Sequence, residues 1–188
     1  MYFKYLFILV FTALLATSCA NENDSVTLVK SFLEARNSYD AETLRELTVE
    51  SYQELFKNDL IEIKSQEEFL THLEWAKELS SKTTIKEVIS SNAANVVVIE
   101  ESKNYIDEAL KRQPRNFQTT YYLKDGKIVK QSFDNAPDEK FDIRANDVLY
   151  GNFERFCKVH KIPLSWEPTK EDGAILRKAL EKYANREE

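Results

Sequence analysis

The chain predicts an α+β fold, with N-terminal helices packed on an antiparallel sheet and a helical C-terminal extension. Three observations carry that expectation. Apolar residues recur at helical spacing up to about residue 80 and again after Pro137, and alternate with period two in between. Asp125-Gly126 separates two such alternating runs, the pattern of a two-residue hairpin turn. The counts of 3 Gly and 4 Pro in 188 residues are low, which favours regular structure through most of the chain.

The elements follow in order. Asp24-Ser25 offers short oxygen side chains for a helix start, and Val26, Val29, Phe32, Leu33 and Arg36 continue it at helical spacing. Asn37-Ser38-Tyr39 interrupts the pattern, and Asp40 caps a short second helix carrying Leu44 and Leu47. Residues 51–63 alternate loosely and predict one short strand or a hairpin. Ser65 and Glu68 have the spacing of a capping box and open a third helix with Phe69, Leu73, Ala76 and Leu79 on one stripe. Residues 82–90 predict a strand and 91–95 a turn. Val96 to Ile99 begins a second strand extending as far as Ile106, which makes Tyr105 a strand residue. Residues 107–115 read as a connection with room for one helical turn. Phe117, Thr119, Tyr121 and Leu123 alternate on a third strand, and residues 127–133 return from the hairpin. In the extension, Val148, Leu149, Phe153, Phe156 and Cys157 form one apolar stripe, ended by Ile162-Pro163. Thr169, with Asp172 three residues on, caps a last helix that buries Leu176, Ala179, Leu180 and Tyr183.

The first eighteen residues have the three parts of an export signal: a charge at Lys4, an apolar run from Tyr5 to Leu15, and small residues before Cys19. The run is about half of the ~20 residues a membrane-spanning helix needs. Leu15-Ala16-Thr17-Ser18-Cys19 resembles the lipobox cut by lipoprotein signal peptidase, in the looser form of Bacteroidetes lipoproteins. The resemblance implies that residues 1–18 are a signal peptide, that Cys19 carries the lipid (palmitate among its acyl chains), and that residues 19–24 are a polar tether. The expected address is the cell envelope, as an outer-membrane lipoprotein facing the periplasm or the cell surface. Losing residues 1–18 removes Lys4 and takes the net charge from −6 to about −7. A domain this acidic, without a lysine or arginine cluster, argues against nucleic acid and against electrostatic adhesion to anionic lipid. The membrane is then a partner through the lipid alone. Acylated Cys19 cannot form a disulfide, which leaves Cys157 unpaired and the fold dependent on packing.

Residues 26–35 with 40–44, an apolar helix, a small break and a second helix, resemble the opening of nuclear transport factor 2-like (cystatin-like) domains. Residues 121–129 resemble their closing hairpin. The resemblance spans residues 25–135 and implies a curved sheet wrapped as a cone around the long first helix. Residues 136–188 lie outside it, as a helical extension that either packs on the sheet or the cone mouth or forms a hairpin of its own. The resemblance also implies two functions: a non-catalytic domain binding a small apolar ligand or an envelope protein, or an enzyme like ketosteroid isomerase or polyketide cyclase acting on a small apolar substrate. Pairing into a homodimer through the sheet is a further implication.

Few residues offer chemistry. The ligand-binding candidates are His72 and Trp75, about one turn apart on the third helix, with Tyr105 and Tyr121; Tyr121 shares its strand face with Phe117 and Leu123 and is expected inside. Cys157 and His160 stand three apart on a helix, without a third group to orient them. Two histidines and one free cysteine fall short of a tetrahedral zinc set. No nucleotide-binding loop, Ser-His-Asp order or other catalytic motif is present, so no cofactor and no catalytic residue is expected, and the binding reading ranks above the enzyme.

Overall fold

The computed structural model describes residues 22–137 and 142–186. The expected export signal and Cys19 lie outside those residues. The architecture is α+β, with helices on a six-stranded curved sheet. The first helix, α1 (Glu22–Ser38), begins two residues before the predicted start. It ends at Tyr39, which takes a left-handed φ of 60° and turns the chain into Asp40. The Asp40 side chain accepts from Thr43 N and caps α2 (Ala41–Leu47). The loosely alternating stretch is a hairpin of β1 (Thr48–Phe56) and β2 (Leu60–Ile63). Ser65 caps α3 (Gln66–Glu78) by accepting from Glu68 N, while Glu68 reaches back to Lys64 N rather than to the cap residue itself.

β3 (Lys82–Ser91), β4 (Asn95–Lys103), β5 (Arg115–Lys124) and β6 (Lys127–Asn135) form the predicted antiparallel meander. Asp125 and Gly126 both take positive φ, 52° and 73°, as a type I′ turn requires. The full order is β2-β1-β6-β5-β4-β3. β1 runs parallel to β6, so the sheet is mixed, a pairing that local alternation cannot reveal. Register shifts between β3 and β4 and between Tyr122 and Leu123 mark bulges, which bend the strands and curve the sheet around α1.

Tyr105 is not a strand residue. Asn104 accepts from Ile106 N and Asp107 N while Asp107 accepts from Asn104 N, a reciprocal capping box that stops β4 and starts α4 (Tyr105–Ala109). The side-chain acceptors offered by Asn104 and Asp107 override the β-like texture that continues to Ile106.

In the extension, Asp142 caps α5 (Ile143–Val159) and Thr169 caps α6 (Lys170–Ala184). Val148 leaves the predicted stripe and is 60% exposed, because α5 contacts the body through Leu149, Tyr150, Phe153 and Cys157. α6 packs on α3 and α4, with Leu176, Ala179 and Leu180 sharing one buried cluster with Leu79, Ile106, Ala109 and Leu110. The approach is close: a side chain at Gly173 would meet Trp75 and Glu78 at 3.1 Å. Arg112 ties α5 to the body through Asp107, Asn146 and Tyr150.

Candidate functional site

The cone interior is filled near α1 and polar beyond it. Phe32 meets Tyr52, Phe69 and Tyr121 at ring distances of 6.2, 5.8 and 5.8 Å, and all four rings are buried. One turn after Phe32, α1 presents Arg36, in the last turn where the helix dipole favours a cation. The end of α1 is fastened to β3. Asn37 donates to Thr83 O at 2.7 Å and accepts from Thr83 N at 2.8 Å, while Tyr39 donates to Ser81 O at 2.9 Å.

Arg36 faces a row of polar groups on the inner face of the sheet. Glu54 on β1 is 5% exposed, accepts from the Tyr52 hydroxyl at 2.9 Å and lies 3.8 Å from the Arg36 guanidinium. Gln131 on β6 stands opposite both Glu54 and Tyr121, with its Oε1 buried and unpaired. Glu100 on β4, also 5% exposed, accepts from Thr119 at 2.8 Å and Tyr121 at 2.7 Å. Burial pushes the Glu100 carboxyl above its ordinary value. The hydrogen bonds from Tyr121 and Thr119 and the charge of Arg36 oppose that rise, and Glu54 adds to it. Burial likewise raises Tyr52 and Tyr121 well above the usual phenol value and keeps both as donors.

Glu100→Gln keeps the shape of the protonated acid, and it is expected to flatten the stability of the protein against pH. Folded Glu100 holds its proton to a higher pH than the unfolded chain does. Its contribution is therefore present below about 4.5, the ordinary glutamate value, and is lost as pH rises through the folded value. Melting curves taken upward from that pH should fall for the wild type relative to the variant; parallel profiles would show that Glu100 titrates normally.

A cleft of about 250 Å³ opens beside this row. Arg36 and Glu54 are the charged residues of its lining, and Ile63, Phe69, Leu73 and Ala76 are among the apolar ones. His72 and Trp75 line it from α3, Ser102 and Asn104 from the end of β4, and Pro168 from the segment before α6. Among the sequence-derived candidates, His72 and Trp75 thus come together. Tyr121 is near them only through the row, fully buried and bonded to Glu100. Tyr105 stands apart, its ring under the Arg177 guanidinium at 3.4 Å where α4 meets α6. The Cys157–His160 spacing makes no catalytic pair: Cys157 is buried with its thiol pushed up by that burial, and exposed His160 lies tilted against the Phe156 ring. Among the described residues no three His, Cys, Asp or Glu gather as a metal site.

Arg36, Glu54 and Glu100 were not among the sequence candidates. Their signals are present nonetheless: an arginine on the apolar stripe of α1, and glutamates at inward positions of Tyr52-Glu54-Phe56 and Val96-Val98-Glu100.

No family model and no curated protein matches the chain. Solved structures do. A protein of unknown function with a cystatin-like fold from Methylobium petroleophilum superposes with a TM-score of 0.51 at 13% identity, covering 67% of this chain and 91% of its own. A candidate ketosteroid isomerase from Kribbella flavida gives a TM-score of 0.51 at 10% identity, over 64% and 84% of the two chains. The molecule therefore has the cystatin-like α+β fold, a curved sheet with helices packed on it. At these identities the likeness establishes the fold and nothing about activity.

Proposed function

We propose that this chain is a cell-envelope lipoprotein whose cone domain binds a small ligand without transforming it. One observation carries the reading. Glu54 and Glu100 are engaged by hydroxyls of the chain's own tyrosines and threonine behind a filled aromatic core, while the neighbouring cleft keeps about 250 Å³ open. That space lies below the range of about 300–1,000 Å³ for drug-sized ligands, so the ligand is small. The lipobox-like segment ending at Cys19 supports the envelope address, and the short stretch from Cys19 to Glu22 would hold the cone close to the membrane.

Two measurements test this. Cys19→Ser should move the protein from the membrane to the soluble fraction; persistence at the membrane would contradict lipid anchoring at that residue. Screened against a small-molecule library by thermal shift, the protein should return ligands that raise its melting temperature and are recovered unchanged. A ligand at a hundred times its dissociation constant adds about 2.7 kcal/mol. The alternative, an isomerase- or cyclase-like enzyme, draws on the two buried carboxylates. It would be favoured by a compound that is consumed by wild type and left intact by Glu54→Gln.

A further inference from the structure

We infer that the ligand of the Arg36 cleft carries a carboxylate, held by the Arg36 guanidinium, with its apolar part against the half-buried Trp75, Ala76 and Pro168; this rests on the binding reading above. Glu54 lines the same cleft, but its side chain is only 6% exposed and its Oε1 is taken by Tyr52. Arg36, half-buried at 28%, is the more accessible member of the pair. Its contact with Glu54, at 3.8 Å, is longer than a hydrogen bond. A guanidinium carries five N–H donors in a planar fork that matches a carboxylate with two parallel bonds. Glu54 at that distance leaves the fork unfilled.

The surroundings select against other charges. A cationic ligand would meet Arg36 first, with Glu54 behind it. A phosphate, fully ionised, would bring more negative charge toward Glu54 and Glu100 than one guanidinium offsets. A single carboxylate brings less negative charge than a phosphate and still matches the two parallel donors of the fork. The guanidinium lies 5.7 Å from the Phe69 ring centre, against an apolar surface that strengthens a charged pair by lowering the local dielectric. The apolar wall then takes a short hydrocarbon or aromatic body, and His72, Ser102 and Asn104 stand as polar groups elsewhere on the lining.

The test uses benzoate and hexanoate as probes, with benzamide and hexanamide as neutral partners of the same shape, titrated into the purified protein by calorimetry at neutral pH. The acids should bind, and the amides should bind about ten- to a hundredfold more weakly, the range for losing a hydrogen bond to a charged group. Arg36→Gln should abolish the preference for the acid while leaving weak binding of both. Ala76→Phe, which fills the apolar wall without touching a charge, should remove binding of acid and amide alike; this second variant keeps the test sound if Arg36→Gln fails to fold. Equal binding of acids and amides, or a preference for the acid that survives Arg36→Gln, would overturn the carboxylate assignment and leave the binding function standing. No binding of any probe would overturn the assignment. If the library screen also returns no ligand, the binding function fails with it.

Discussion

Phe32→Ala is expected to cost about 3–5 kcal/mol of stability, the range for truncating a fully buried aromatic side chain. Phe32 is at the centre of the four-ring cluster, and the surrounding rings belong to a helix and two strands that are far apart in sequence. They cannot close on the vacated space without shifting α1 against the sheet. For a chain of this size each kcal/mol corresponds to about 2–4 °C, so the melting temperature should fall by on the order of 10 °C. The same vacancy adjoins Tyr52 and Tyr121, whose hydroxyls hold Glu54 and Glu100, so ligand binding at the cleft should weaken as well. A loss below about 1 kcal/mol in urea denaturation, within the range of ordinary surface changes, would show that the cone is not organised around this ring.

Ending the chain at Asn135 should be equally damaging. The truncation strips α6 from Leu79, Ile106, Ala109 and Leu110, and takes away Asn146 and Tyr150, which accept from Arg112. Burying each large apolar side chain contributes about 1.5–3 kcal/mol, so exposing this face should cost on the order of 5 kcal/mol and cause aggregation. A soluble truncated chain with an unchanged melting temperature would instead make the extension a separate module.

Most of the fold was legible because its signals are local. Helix starts at Asp40, Ser65 and Thr169 are set by short oxygen side chains, and the Asp125-Gly126 hairpin by the two positive φ values it requires. What was not legible depends on contacts distant in the chain. The parallel β1–β6 pairing joins residues about eighty positions apart, and Val148 sits on an apolar stripe that tertiary packing leaves outside. Tyr105 lies in α4 rather than β4 because Asn104 and Asp107 form their capping box across a β-rich stretch whose texture continues past it. The candidate cleft was half legible: His72 and Trp75, singled out by type and spacing, line it, but Arg36, Glu54 and Glu100 look like ordinary surface charges until periodicity turns them inward. Each lay on a buried stripe or face, and a charged residue in such a position is the signal to weigh.

The central claim, a binding cleft at the end of α1, is tested most directly by proton–nitrogen correlation spectra of the protein titrated with a ligand returned by the thermal-shift screen. Shifts are expected to concentrate at Arg36, His72, Trp75 (including its indole N–H), Ser102 and Asn104 and to saturate with one ligand per chain, with the ligand recovered unchanged. Shifts centred instead on the α5–α6 surface around Ile175 and Lys182, or a spectrum that does not move, would contradict it.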